Sequence, residues 1–160
     1  MLLRALLVGA LAFAAAGCGG GGKSSAEATE AGTTTTELPP GCLVEDVQAI
    51  VDRFLKRGDL APPGFFQVYG TNESDGRKFL TRNRAKAVAE IERRRRFNER
   101  QRVISLRVAP EDINHVRVTF DLTRIANDFL RRGIATRIAS GAGTIDCAHG
   151  KVAAWVVKGP

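Results

Sequence analysis

The sequence predicts an α+β domain: helices packed on one face of an antiparallel sheet, reached through a segment that stays outside the core. Three observations carry this. Apolar residues recur at helical spacing from Leu43 to Phe54 and again around Ala87 to Ile91. After residue 100 the apolar period drops to two, the spacing of a half-buried strand. Helices followed by a run of strands make a helix-covered sheet. The third observation is compositional. From Gly19 to Pro40 the chain is almost entirely Gly, Ser, Thr, Ala and Glu, which cannot bury enough apolar surface to offset the entropy of ordering.

The first helix is expected over Leu43–Arg57. Leu43, Val47, Ile50, Val51 and Phe54 share one face, Glu45 and Asp46 occupy the first turn, and Lys56 and Arg57 the last. Gly58 stops it, and Pro62-Pro63-Gly64 breaks the chain. Phe65–Tyr69 reads as a short strand and Gly70–Gly76 as loop. A second helix is expected from Arg82 to about Arg96, with Ala87, Val88 and Ile91 as its buried stripe and burial fading along the polar Glu92–Arg96 end. Val103–Val108 and Val116–Thr123 alternate as strands. Arg124–Arg132 reads as a short helix or ordered loop carrying Ile125 and Phe129. Thr144–Ala148 and Lys151–Val157 flank a two-residue turn at His149-Gly150, both residues being suited to positive φ.

The start of the chain carries an address. Met1–Arg4 is short and positive, and Ala5–Gly17 is uncharged, too short to cross a bilayer but of signal-peptide length. Ala15-Ala16-Gly17-Cys18 resembles the bacterial lipobox, in which the cysteine takes a diacylglyceryl group. Ordinary leader cleavage without lipid is the competing reading. The Gly19–Ser25 tract is the flexible spacer that a tethered domain needs, and two acyl chains anchor stably. The expected organisation is therefore a signal peptide over 1–17, a lipid site and linker over 18–40, and a folded domain over 41–160. It places the chain outside the cytoplasm, held to the cell membrane through lipid on Cys18.

Three cysteines is an odd number for an exported chain, and lipidation of Cys18 leaves an even two. The net charge of +7 points to nucleic acid, anionic lipid or acidic polymer. Export makes nucleic acid the poorest fit of the three. Oligomeric state cannot be read from this composition.

The tail Gly141-Ala142-Gly143-Thr144-Ile145-Asp146-Cys147, a tight turn, then a strand ending in Trp155, resembles the closing strands of the NTF2-like, or SnoaL-like, superfamily, and in particular its exported actinobacterial lipoprotein members. The helix at 43–57, the aromatic stretch Phe65–Tyr69 and the strand at 103–108 fall where that superfamily has its first helix, an aromatic strand and a sheet strand. The resemblance implies a curved antiparallel sheet wrapped by N-terminal helices into a cone with a central pocket. It also implies that Cys42 is stapled to Cys147; two unrelated buried thiols are the alternative.

Chemistry is sparse. No His-Glu-x-x-His, Gly-x-Ser-x-Gly or Ser-x-x-Lys motif occurs, and no C-x-x-C or Cys/His cluster suggests a metal, so neither metal nor cofactor is expected. Enzymes of the resembling fold use a pocket carboxylate with a Tyr, which makes Asp121 and Tyr69 the catalytic candidates. Asp121 shares its strand face with Arg117, Thr119 and Thr123, a face more consistent with solvent than with a pocket. Tyr69 and Trp155 are candidate pocket residues, with core packing as the alternative. Arg93, Arg94, Arg95, Arg96, Arg100 and Arg102 form the candidate contact with an anionic surface. Four consecutive arginines cover a whole helical turn, however, and Glu90 and Glu92 lie at i, i+4 from Arg94 and Arg96, so a solvated helix end is the simpler reading. The function expected is a membrane-anchored binding or scaffold domain, with an envelope protein or small apolar ligand as partner. The rivals are an isomerase- or dehydratase-type pocket enzyme and a binder of anionic envelope polymer or lipid.

Overall fold

The computed structural model describes residues 37–73 and 76–159. The leader, Cys18 and most of the linker lie outside the described residues. The order of elements is α1 (Val44–Arg57), β1 (Val68–Asn72), β2 (Lys78–Thr81), α2 (Arg84–Arg96), β3 (Arg100–Pro110), β4 (His115–Ile125), α3 (Asn127–Arg131), β5 (Arg137–Asp146) and β6 (Lys151–Lys158). The six strands form one sheet in the order β2-β1-β6-β5-β4-β3.

The fold is α+β as expected, but the sheet is mixed. Strands β3 to β6 pair antiparallel in sequence order, while β1 runs parallel to β6, with Tyr69 opposite Trp155. Alternation reveals which face a residue takes, not which strand lies beside it or in what direction. Here β6 has a free edge once β5 is paired, and the distant β1 covers it. Register shifts interrupt the β3–β4 ladder at Val103/Ser105 and the β5–β6 ladder at Thr144/Ile145, where a strand bends and twists more strongly.

Helix α1 buries Val47, Ile50, Val51 and Phe54, and Gly58 ends it at φ 76°, its N–H donating to the Phe54 carbonyl at 2.7 Å. Leu43 caps the helix and is exposed instead of joining the stripe. Packing begins earlier than Gly41, since Pro39 is buried and Leu38 lies against the core. Strand β1 starts at Val68 and not at Phe65, because the Phe65 and Phe66 amides donate to the Pro62 carbonyl in a turn. It then runs to Asn72, into the stretch expected as loop, and pairs with β2, a strand in the unassigned stretch before the second helix.

The buried stripe of α2 is Ala87, Glu90 and Arg94; Val88 and Ile91 are only partly covered. Burial does not fade along this helix. Its charges go inward because they neutralise one another, an arrangement that an apolar pattern cannot register. In α3 Phe129 is buried and Ile125, just before it, is exposed.

Strand β5 starts at Arg137, well before Thr144, and Gly141 lets it pass between its neighbours. Trp155 on β6 stacks on Phe120 of β4, ring centroids 3.9 Å apart and planes 10° from parallel, with Phe54 of α1 at 5.0 Å. Gly141 lies between those strands, where a β-carbon would collide with the Phe120 ring and the Val156 carbonyl. Gly141→Ala is therefore expected to cost about 1–3 kcal/mol of stability, as overpacking does. Urea unfolding followed by Trp155 fluorescence reads it, and an unchanged midpoint would refute this account of the glycine.

The β5–β6 turn has four residues, Cys147–Gly150. Gly150 alone takes positive φ, at 57°, while His149 is held by its amide donating to Asp146 Oδ1 at 3.1 Å. Cys42 and Cys147 are joined in a disulfide across 105 residues, pinning the start of α1 to the end of β5.

Candidate functional site

Tyr69 and Asp121, the catalytic candidates, do not meet. Val116, Val118, Phe120 and Leu122 of β4 point into the core, so Asp121 faces the other way. There it accepts hydrogen bonds from Ser140 at 2.7 Å and Ser105 at 2.8 Å on the open side of the sheet. Those two hydroxyls hold its carboxyl below the usual carboxylate range, the wrong direction for a general base near neutral pH. Tyr69 is buried on the helix-covered face beside Trp155. A whole sheet separates the two groups.

The covered face holds instead a network of buried charges. On α2, Glu90 Oε1 lies 2.6 Å from Arg94 Nε, although that approach is off the hydrogen-bonding direction. Arg94 Nη1 donates to Glu99 Oε2 at 3.0 Å, and Arg124 Nε donates to Glu99 Oε1 at 2.8 Å. Arg124, 1% exposed, also donates to the Asn72 carbonyl at 2.9 Å, linking β4 to the end of β1. Gln101 donates to Glu99 Oε1 at 2.9 Å, and Arg93 clamps Glu90 from the rim with two bonds of 2.8 Å. Burial works against ionisation of Glu99, but Arg124 and Arg94 outweigh it and hold the carboxyl below its ordinary range.

Beside the network is a cavity of about 40 Å³, walled by Phe54, Tyr69, Arg94, Glu99, Gln101 and Trp155 among others. Burial pushes the Tyr69 phenol far above its ordinary pKa, with nearby Arg94 opposing only in part, so the hydroxyl keeps its proton. Trp155 is thus both things expected of it, a core residue by its stacking and a wall of the cavity.

The six arginines do not share a surface. Arg94 is inside, paired with Glu90 at the expected i, i+4 spacing. Arg93 is held by Glu90 and Glu73, and Arg95 pairs with Glu92 and donates to the Lys56 and Arg57 carbonyls at the end of α1. Glu92 therefore takes Arg95 in place of Arg96. Arg96, Arg100 and Arg102 remain exposed, and no ion pair engages them among the described residues.

Sequence reasoning missed Glu90, Glu99, Gln101 and Arg124 as site residues. One signal was present: Arg124 continues the inward parity of Val116, Val118, Phe120 and Leu122, so an arginine on that face calls for a buried carboxylate. Among the described residues no cluster of His, Cys, Asp and Glu is close enough to hold a metal ion, and no helix is long and apolar enough to cross a membrane.

No family model matches the sequence, and no curated protein matches it. Two solved structures align with it, each at TM-score 0.40 and 16% identity. One is a polyketide-cyclase candidate from Xanthomonas campestris pv. campestris, with 70% of this chain and 84% of that one covered. The other comes from de novo design of proteins with diverse pocket structures, with 71% and 95% covered. At that overlap neither bears on activity. The domain itself is α+β, with α1 and α2 on one face of a mixed six-stranded sheet that stays open between the β2 and β3 edges.

Proposed function

We propose that this chain is an extracytoplasmic, lipid-anchored domain that binds or scaffolds and does not catalyse. The observation that carries the non-catalytic part is the filled interior. Where a pocket enzyme needs roughly 300–1,000 Å³ for a substrate, Glu90, Arg94, Glu99 and Arg124 leave about 40 Å³ between the helices and the sheet, and the clefts wide enough lie elsewhere, lined by neither Tyr69 nor Asp121. The isomerase or dehydratase reading lost its base when Asp121 turned to the other face. The location is supported by the Cys42–Cys147 bridge, which persists in oxidising compartments, together with the lipobox-like Ala15–Cys18. Mass spectrometry of the chain from a membrane fraction tests the anchor: the expected product begins at Cys18 carrying diacylglyceryl. An intact leader, or an unmodified thiol at residue 18, would remove it.

A second reading is favoured by Arg96, Arg100 and Arg102, three exposed cations with no ion-pair partner among the described residues. As a contact for anionic polymer or lipid headgroups they would lose most of their hold in high salt. Reversing all three to Glu is expected to abolish retention on anionic vesicles or cell-wall polymer without changing the unfolding midpoint appreciably. Retention equal to that of the parent chain would dispose of this reading.

A further inference from the structure

We propose that the small cavity between α1, α2 and the start of β3 binds the carboxylate of a small acid that carries a hydroxyl on the adjacent carbon, the α-hydroxycarboxylate class. This deepens the binding-domain reading and rests on it. The site is defined by polar groups that the fold leaves unused. Arg94 is 5% exposed, yet its Nη2 has no hydrogen-bond partner. Gln101 Oε1 is likewise unpartnered, and it cannot rotate away because the other end of the same amide donates to Glu99 at 2.9 Å. The Tyr69 hydroxyl has no partner among the described residues. Buried polar groups without partners are rare in native proteins, and two in the wall of one cavity, with the Tyr69 hydroxyl beside them, call for an occupant.

Chemistry narrows the occupant. Two of the three groups, Arg94 Nη2 and the protonated Tyr69, present donors, and the third, Gln101 Oε1, presents an acceptor. The complement is a pair of acceptors with one donor beside it. A volume of about 40 Å³ admits only the smallest acids. Charge selects between acids and neutral molecules. Arg94 and Arg95 are met by Glu90, Glu99 and Glu92, and both Glu99 oxygens already accept hydrogen bonds from Arg94, Arg124 and Gln101. The charged donor left unspent is Arg94 Nη2, and a charge-assisted bond to a carboxylate is its strongest match. A hydroxyl beside that carboxylate supplies the donor for Gln101 Oε1 without bringing a second cation to Arg94.

Trp155 is the only tryptophan of the chain and lies in the wall, so its fluorescence reports occupancy. The purified full chain would be titrated with glycolate, acetate, glycolamide and glycine. A saturable change with glycolate is expected, with the other three weaker by about tenfold or more, the usual effect of losing one hydrogen bond to a charged group or the charge itself. Tyr69→Phe should weaken glycolate by about the same factor, and Gln101→Met should erase the preference for glycolate over acetate while circular dichroism stays native. Should Tyr69→Phe lose its fold, the ligand series on the parent chain and Gln101→Met decide alone. No saturation with glycolate, or acetate or glycine binding as tightly, overturns the assignment and leaves the anchored-scaffold reading standing. Consumption of glycolate on binding would support the site while overturning the non-catalytic reading.

Discussion

Replacing Cys42 and Cys147 together by Ala is expected to lower the free energy of unfolding by about 2–5 kcal/mol, with the same loss on adding reductant to the parent chain. The bridge spans 105 residues, nearly the whole folded body. In the chain-entropy account, closing a loop of about 100 residues removes roughly 4.7 kcal/mol of freedom from the unfolded state. Both cysteines are buried, Cys42 completely, so the double alanine substitution adds a small loss of packing but no unsatisfied polar atom. The local consequence is as specific as the global one. The Cys147 amide donates to the Asn114 carbonyl at 2.8 Å, and the Cys42 amide to Pro39 at 3.0 Å. Without the bridge, the Leu38–Cys42 segment keeps only that turn and Leu38 to hold it, and its amides should exchange first. Urea unfolding with and without reductant measures the global effect. Identical midpoints would mean that the staple contributes nothing and would weaken the case for an oxidising address.

Glu99→Gln is expected to cost about 3–5 kcal/mol, because it leaves Arg94 and Arg124 buried without the carboxylate between them. Arg124→Met in the same chain should recover part of the loss, since removing both members of a buried pair is commonly far milder than removing one. The pH dependence has a definite sign. The Glu99 carboxyl is depressed in the folded state, so its contribution is complete above the unfolded glutamate value of about 4.3 and is lost as pH falls through the lower folded value. The parent chain should therefore lose stability in acid more steeply than Glu99→Gln, and the two curves should converge at low pH. Parallel curves would show that Glu99 is not the titrating group.

Parts of this fold were legible from the chain alone. Helix α1 was readable to within a residue because its apolar stripe, end charges and Gly58 all agree. Strand β4 was readable because alternation is strict where one face is buried, and β6 because the His149-Gly150 turn marks its start. The mixed sheet was not, since the parallel contact of β1 with β6 joins residues more than eighty positions apart and no local pattern records it. Strand β2 escaped notice for a related reason: Lys78–Thr81 is too short to show a period, and it becomes a strand because β1 offers its backbone a partner. The site was the least legible part. An apolar-stripe argument ranks Glu90 and Arg94 as surface residues, and only the convergence of α2, β3 and β4 makes their burial tolerable.

The sequence by itself determined the class of the domain, the two helices and the alternating strands. Each of these follows from local periodicity or composition. Tertiary structure alone decided that Asp121 faces away from Tyr69, that Arg94 is inside while Arg96 is outside, and that a cavity with unspent hydrogen bonds lies between them. The reason is desolvation. Whether a charged side chain can leave water depends on which opposite charge arrives beside it, and that neighbour comes from another part of the chain.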